Sequence, residues 1–329
     1  RDTSALEQMR NVDVVVFDKT GTLTEGHPTV IGWLWAQGQE EHYKDVLLAA
    51  ESTSDHPLAE AIVTALEGEE QVIPAHLDGF ENITGKGVRV AYQGAEYWVG
   101  SHKLLKDYQA NLSDILADML TQYESDGNSI VYFGRENDLL AVIAIKDQLR
   151  VTSMEAIREL RIQDVEICML TGDGERTASS VAGSLGIMRF VADAMPDDKE
   201  DFIHKLQLQG KTVAMVGDGV NDAQALSCAD VSIAMGKGTD TLMDTAMITL
   251  RTSDLLLLPK VFRLSRQTVS LMYRNLFWAF IYNTVGIFVA AGVLYPVYDI
   301  LLSPALAGAA MSLSCVSVAL SSLRLSSRF

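Results

Sequence analysis

The stretch "VVVFDKTGTLTEG", residues 14–26, changes from apolar to polar within a single step. Its first four residues, Val14 to Phe17, are an uninterrupted apolar run that predicts a short buried strand. Asp18 follows at once, and the next four residues are a lysine, two threonines and a glycine. We therefore expect an acid at the end of a core strand, beside a loop of hydroxyls and backbone amides.

Two later apolar runs also end at an acid. The run "VEICML" (165–170) leads through Thr-Gly into Asp173, and "TVAMVG" (212–217) leads directly into Asp218. Segments with helical spacing separate the runs, and this alternation predicts a doubly wound parallel sheet. Because parallel strands end at the same edge of a sheet, these acids and Asp18 are expected at one rim.

The region between the first strand and the later ones has a different pattern. Strand-like alternation with glycines at the turns covers residues 82–101, and residues 129–145 predict a hairpin. This predicts an α+β domain inserted into the α/β domain. The predicted domains are residues 1–25 with 146–262, the insert 26–145, and a C-terminal helical hairpin 263–329.

The charge of the chain is unevenly distributed. The formal net charge of the 329 residues is −17, yet from Lys260 onward Asp299 is the sole acid among several arginines. The acidic body offers no basic face for phosphates, which argues against nucleic acid as a partner. The three cysteines are widely spaced and form no CxxC motif. A disulfide framework is not expected, and a reducing cytosol suits the body.

Two uncharged stretches near the end predict membrane spans. Residues 276–294 and 300–323 are long enough to cross hydrocarbon, and the five residues between them predict a hairpin. Arginines flank both outer ends, so the positive-inside rule places those ends and the acidic body in the cytosol. We expect an integral protein of the cell (plasma or inner) membrane with a cytoplasmic head. The alternative is a pair of buried core helices.

The predicted rim is suited to phosphoryl transfer. A carboxylate at Asp18 can act as a nucleophile, and Asp218 with Asp222 offers the hard oxygen ligands that Mg²⁺ requires. Lys199 and the Thr171-Gly172 pair lie at the same end of the sheet and can neutralise charge on a transferring group. The alternative for a single acid after a strand is a turn or helix cap.

The strings "DKTGTLT", "TGD" and "GDGVND", in this order, resemble the P-type ATPases, a branch of the haloacid-dehalogenase superfamily. The resemblance implies that Asp18 forms an aspartyl phosphate and that Lys19 supports its loop. It also implies that Mg²⁺ is held by Asp18, the Thr20 carbonyl and Asp218. The residues implied to be catalytic are Asp18, Lys19, Thr20, Thr171, Gly172, Asp173, Lys199, Asn221 and Asp222.

The insert resembles the nucleotide-binding domain of the heavy-metal-transporting P-type ATPases. The resemblance lies in "ESTSDHPLAEAI" (51–62) and "GKG" (85–87). It implies that four residues enclose the adenosine of ATP, and glycines would allow close approach of a flat purine. These residues are Glu51, His56, Gly85 and Gly87. Ser101 departs from the family, which often has Asn there.

The predicted spans indicate the transported ion. Neither span contains Asp, Glu, Lys, Arg or His, which disfavours a hard dication at the bilayer midplane. Met311 and Cys315 lie four residues apart and are soft ligands that favour Cu(I), whereas packing is the alternative reading. "YN" (Tyr282 and Asn283) and "AGAAMSLSCVSV" are similar to the last two helices of copper-exporting members. There the family has Ser where this chain has Cys315, and Ag(I) remains an alternative cargo.

The resemblance covers only the carboxy-terminal half of a pump. It implies an amino-terminal half with earlier membrane helices, a dephosphorylating domain and metal-binding modules, and also a copper chaperone and a lipid bilayer as partners. Gln148 and Gln224 replace prolines of the family beside Asp147, Arg150 and Asp222, and we expect altered loop stiffness rather than lost catalysis.

Two other functions are compatible with parts of this pattern. The first is a membrane-tethered phosphatase or phosphotransferase that moves no ion. Such enzymes usually need an acid two residues after the nucleophile, whereas this chain has Thr20, which favours a long-lived phosphoenzyme. The second is a copper-binding fragment without catalysis, which would not need Asp18, Lys199 and Asp218 together.

Overall fold

The computed structural model describes most of the chain in two compact units. These units are residues 12–259 and residues 2–11 with 260–329. The described residues are 3–36, 40–54, 56–69, 71–110, 114–218, 222–236, 246–291, 316, 318, 319 and 321.

The first unit is built on a six-stranded parallel sheet. Its strands are β1 (Val14–Asp18), β8 (Glu166–Leu170), β9 (Arg189–Val191), β10 (Val213–Gly217), β11 (Val231–Met235) and β12 (Ile248–Leu250). The strand order is β12-β11-β10-β1-β8-β9, and every neighbouring pair is parallel. The helices between these strands are α6 (Ser153–Ile162), α7 (Glu175–Leu185), α8 (Pro196–Leu208) and α9 (Ala223–Cys228). The predicted doubly wound α/β sheet is confirmed.

Strand β1 lies at the centre of this sheet, and all five of its residues are buried. β8 and β9 lie on one side of β1, and β10, β11 and β12 lie on the other. The end of β1 is therefore a topological switch point, where ligands bind in open α/β sheets. In register, Asp18 is paired with Leu170, and Phe17 is paired with Val216. Asp218 therefore follows β10 close to the end of β1.

The residues between β1 and α6 form a second sheet, which is antiparallel. Its strands are β2 (Thr29–Trp35), β3 (Gly79–Ile83), β4 (Gly87–Tyr92), β5 (Ala95–Gly100), β6 (Ser129–Arg135) and β7 (Asp138–Lys146), in the order β2-β7-β6-β5-β4-β3. Its helices are α2 (Glu40–Glu51), α3 (Pro57–Glu67), α4 (His102–Asp107) and α5 (Asp114–Ser125). Side chains of α2 and α3 share one apolar core with the sheet, and those of α4 and α5 share another.

The insert has two successive helices, α2 and α3, with a break between them. Helix α2 ends at Glu51, and α3 begins at Pro57. Proline disfavours a helical conformation at the residue before it, and His56 is accordingly extended. The His56 Nδ1 accepts a hydrogen bond of 3.2 Å from the Leu58 amide and caps the new helix.

The second unit combines α1 (Thr3–Arg10) with most of the long helix α10 (Leu257–Ala290). The Arg10 guanidinium lies 5.4 Å from the ring centre of Tyr273, and Ser265 donates a hydrogen bond to the Leu6 carbonyl. Tyr282 and Asn283 are exposed residues of α10.

Among the described residues, we find no helix whose length and apolarity together meet the requirements of a membrane span. Most of the second predicted span, including Met311 and Cys315, lies outside the described residues. The membrane hairpin therefore stays a prediction.

Candidate active site

An ammonium group links two buried carboxylates at the end of β1. Lys199 Nζ donates to Asp18 Oδ1 at 2.6 Å and to Asp222 Oδ1 at 2.7 Å. Lys199 is in the first turn of α8, and Asp222 directly precedes α9. All three residues are buried, so two helices and the central strand converge on one cation.

Burial and neighbouring charges shift the pKa values of Lys199 and Asp222. Burial alone would lower the pKa of Lys199, but the two carboxylates outweigh it and raise that pKa above its ordinary value. Burial and the charge of Asp18 raise the pKa of Asp222 to about 7, although Lys199 opposes the change. Lys199 is therefore a permanent positive charge beside the carboxylate of Asp18.

A second cation, Lys19, is held away from this pair. Its ammonium forms an ion pair with Asp173 and donates to Ser129 Oγ at 2.9 Å. The hydroxyl of Thr171 donates to Asp173 Oδ2 at 3.1 Å. Burial would raise the pKa of Asp173, but Lys19 and these hydroxyls lower it. Asp173 is thus an ionised anchor for Lys19. A Cβ at Gly172 would make only ordinary contact with the Ala194 carbonyl, so the packing there does not require glycine.

The loop after Asp18 turns sharply at Gly21. Thr20 is extended, whereas Gly21 has φ of 72°, a conformation that favours glycine. A Cβ at Gly21 would overlap the carboxylate of Asp218. The loop can therefore approach Asp218 only because residue 21 has no side chain.

The donor set of this rim fits a small, hard cation. The carboxylates of Asp18, Asp218 and Asp222 lie at neighbouring ends of β1 and β10. Within the described part of the chain, Asp222 Oδ2 is buried and has no hydrogen-bond partner. Oxygen ligands of this kind suit Mg²⁺. Asn221, which the sequence also assigned to this site, lies outside the described residues.

Asp147 and Arg150 hold the loop that follows Asp18. The sequence singled out both residues without assigning them a role. The Arg150 guanidinium donates to the carbonyls of Gly21, at 2.7 Å, and Thr22, at 3.0 Å. The Asp147 carboxylate accepts from the Thr24 hydroxyl at 2.5 Å and from the Gly26 amide at 3.1 Å. Asp147 and Arg150 thereby join the two chain segments that connect the domains.

Gln148 takes part in the same connection through its backbone. Its carbonyl accepts a hydrogen bond of 2.8 Å from the amide of Glu25. A proline at position 148 would offer the same carbonyl, so this bond does not depend on the departure from the family pattern. Gln224 is exposed in the first turn of α9.

The insert contacts the parallel-sheet domain along α7. Thr177 Oγ1 donates to the Asn128 carbonyl at 2.8 Å, and Ser180 Oγ donates to the Ser125 carbonyl at 2.7 Å. Arg176 forms an ion pair of 3.1 Å with Glu124. The sequence did not predict these contacts. The insert residues in these contacts lie just before Ser129 in the chain. The contacts therefore position the Ser129 hydroxyl, which accepts a hydrogen bond from Lys19.

The four predicted nucleotide-binding residues lie in two places of the insert. Glu51 ends α2, and His56 precedes α3. Loss of solvation around the ring lowers the pKa of the His56 imidazole, while the charges of Asp173 and Asp18 act in the opposite direction. His56 is therefore electrostatically coupled to the rim.

Of the other two predicted residues, Gly85 lies in the turn between β3 and β4, and Gly87 begins β4. A Cβ at Gly85 would meet the Met195 side chain at 2.8 Å, so this turn lies against the residue that precedes α8. Gly87 has φ of 143°, and a Cβ there would overlap the backbone of β5. The close packing of β4 on β5 is by itself sufficient to require glycine at position 87.

We expect Glu51 to make stability depend on pH. Burial raises the pKa of Glu51 to about 7. The folded state therefore holds a proton that the unfolded state releases, and stability falls as pH rises from about 4.5 to about 7. The loss above that range is about 3 kcal/mol. Glu51→Gln should match the parent protein near pH 4.5 and exceed its stability by up to that amount near pH 8.

Urea denaturation followed by tryptophan fluorescence measures this difference, since Trp33, Trp35 and Trp98 all lie in the insert. The exposed Glu67→Gln change is the matched control and should leave the pH dependence unaltered. An equal pH dependence in the parent and in Glu51→Gln would contradict the assignment.

The geometry agrees with a known family. Residues 12–230 match the haloacid dehalogenase-like hydrolases, which is well over half of the chain. The chain belongs to this family, as its sequence predicted.

Relatives with established names narrow the class further. The chain is 42% identical over 325 residues to a copper-exporting P-type ATPase of Legionella pneumophila, covering 99% of this chain and 44% of the relative. It is 43% identical over 330 residues to a silver exporting P-type ATPase of Salmonella typhimurium, covering 99% and 40%. The chain thus spans less than half the length of these relatives. The predicted resemblance to heavy-metal-transporting P-type ATPases is confirmed.

Solved structures show the same likeness. A crystal structure of a zinc-transporting PIB-type ATPase in its E2.Pi state matches 98% of this chain and 51% of that chain, with a TM-score of 0.65 and 35% identity. The catalytic domain of the CPx-ATPase CopB-B matches 80% of this chain and 93% of that domain, with a TM-score of 0.66 and 28% identity.

Proposed function

We propose that this chain is the ATP-hydrolysing part of a P-type ATPase that exports Cu(I) through an aspartyl phosphate at Asp18. The observation that carries the proposal is the buried contact of Lys199 with Asp18 and Asp222 at the switch point of the sheet. An ammonium group at 2.6 Å from the nucleophile can neutralise an incoming phosphoryl group without further rearrangement.

The chemistry requires two transfers of the same group. In the first, an oxygen of Asp18 forms a bond to the γ-phosphorus of ATP, and the bond to the bridging oxygen breaks, so that ADP leaves with the electron pair. In the second, water attacks the phosphorus, which regenerates the carboxylate and releases phosphate. Thr20 supplies no proton to a leaving group, which favours an intermediate that persists between the two steps.

The surrounding residues have separate tasks in this proposal. Lys199 offsets the charge of the phosphoryl group, and Thr171 with the Gly172 amide donates hydrogen bonds to it. Lys19, anchored on Asp173, holds the loop, while Asn221 and Asp222 complete the site. The carboxylates of Asp18 and Asp218 and the Thr20 carbonyl would hold Mg²⁺, which supplies further positive charge there.

ATP would bind between the rim and the insert. Glu51, His56, Gly85 and Gly87 are the residues we propose around the adenosine. Two observations support this placement: the charges of Asp18 and Asp173 reach the His56 imidazole, and the turn at Gly85 lies against Met195 beside α8. A nucleotide held there would have its phosphates near the end of β1.

The cargo is proposed from the relatives and from the soft residues of the sequence. The matched relatives are named as exporters of copper or silver. Tyr282, Asn283, Met311 and Cys315 are the proposed contacts of Cu(I) in the bilayer, and a monovalent soft ion suits spans without charged residues. The cytoplasmic head would act with an amino-terminal half of the pump, to which a copper chaperone would deliver the ion.

The metal dependence of ATP hydrolysis tests the cargo. In the full-length pump under reducing conditions, we expect Cu⁺ and Ag⁺ to stimulate hydrolysis by about 10-fold or more, and Zn²⁺ to have no such effect. Replacement of Met311 by Leu should reduce this stimulation, whereas replacement of the exposed Met188 by Leu should not. Stimulation by Zn²⁺ alone would refute the ion assignment and leave the phosphoryl chemistry intact.

A further inference from the structure

A second group of metal-binding side chains lies between α8 and α9, outside the candidate active site. It consists of Glu200 and His204, one turn apart on α8, and Cys228, the last residue of α9. A carboxylate oxygen, a ring nitrogen and the thiol sulfur all lie within 4.8 Å of one another. We propose that these three residues bind a borderline divalent transition-metal ion of the Zn²⁺ class.

The separation of the three atoms is close to what such an ion needs. Tetrahedral Zn²⁺ holds sulfur at about 2.3 Å and nitrogen or oxygen at about 2.0 Å, which places the ligand atoms about 3.3–3.8 Å apart. Glu200 and Cys228 are half-buried and His204 is exposed. Small side-chain rotations therefore suffice to close the site, and one coordination position stays open to water.

The imidazole is oriented for this role by a neighbouring amide. His204 Nδ1 lies 3.1 Å from Gln207 Oε1, and the amide nitrogen of Gln207 donates to the Cys228 carbonyl at 2.8 Å. The Gln207 oxygen can only accept, so Nδ1 carries the proton and the lone pair is on Nε2 in the neutral ring. Nε2 is the nitrogen that faces Glu200, at 3.5 Å. A fixed tautomer of this kind is typical of metal-binding histidines.

The nature of the three ligands selects the ion. Thiolate, imidazole and carboxylate together suit Zn²⁺ and Co²⁺, whereas Mg²⁺ prefers oxygen ligands alone. Glu200 is adjacent to Lys199, and Cys228 ends the helix that Asp222 directly precedes. An ion at this position would hold together the two helices that carry the Lys199–Asp222 contact.

Co²⁺ as a spectroscopic probe tests the site in the intact chain. Binding to a thiolate gives a sulfur-to-cobalt charge-transfer band, which a site made of oxygen ligands does not give. We expect this band in the parent protein, its bleaching by Zn²⁺, and its loss in Cys228→Ser and in His204→Ala. Gln207→Leu should retain the band but weaken the affinity by about 10-fold or more.

Cys168→Ala is the matched control and should keep the band, since that thiol is buried in β8, in the core of the parallel sheet. His204 is exposed, so its replacement is not expected to disturb the fold. Absence of the band in the parent, its persistence in His204→Ala and Cys228→Ser, or its loss in Cys168→Ala would each overturn the proposal. Binding of Cu⁺ without binding of Zn²⁺ or Co²⁺ would overturn the assignment to a divalent ion.

Discussion

Asp18→Asn is expected to lose phosphorylation from γ-labelled ATP by a factor of at least about 1000. The amide is neutral and a poor nucleophile, so it cannot form the acyl phosphate. The fold should persist, because Lys199 keeps Asp222 as a partner at 2.7 Å. Acid-stable, hydroxylamine-sensitive labelling of the purified chain measures the effect.

The exposed Asp138→Asn change is the control for this experiment. Asp138 begins β7 on the insert, and its replacement should leave labelling at the level of the parent. Labelling that persists in Asp18→Asn would mean that another residue is the nucleophile.

Lys199→Ala should produce the second large loss, about 100-fold or more in the rate of phosphorylation. It removes the cation that faces the incoming phosphoryl group and leaves Asp18 and Asp222 buried without it. Breaking a buried ion pair in this way also destabilises the fold by about 3–5 kcal/mol. Stopped-flow labelling gives the rate, and circular dichroism shows whether the variant is folded at the assay temperature.

Lys205→Ala is the matched control, since Lys205 lies on the same helix and is exposed. It should alter neither the rate nor the stability appreciably. A Lys199→Ala variant that is folded and is phosphorylated at the rate of the parent would contradict the role given to Lys199.

The parallel sheet and its rim could be predicted because the relevant signals are local. Three acids of the rim, Asp18, Asp173 and Asp218, directly follow an apolar run or are separated from it by two residues. The strand order then places those ends together at the carboxyl edge of the sheet. The meeting of Lys199 with Asp18 follows from the same topology, since α8 begins at that edge.

The contacts that join the two domains could not be predicted in this way. Lys19 and Ser129 are 110 residues apart, and no local pattern in either segment indicates the partner. Thr177 and Arg150 likewise bind backbone carbonyls of distant segments, and any hydroxyl or guanidinium can do so. Their positions depend on how the insert packs, which is a property of the folded chain.

Borohydride trapping is a direct chemical test for a covalent phosphate on Asp18. Reduction of an aspartyl phosphate converts that residue to homoserine, which peptide mass spectrometry locates. After incubation of the chain with ATP and Mg²⁺, we predict homoserine at position 18 and none in a sample without ATP. Homoserine at another aspartate, or phosphate found only on a hydroxyl or imidazole, would contradict phosphorylation of Asp18.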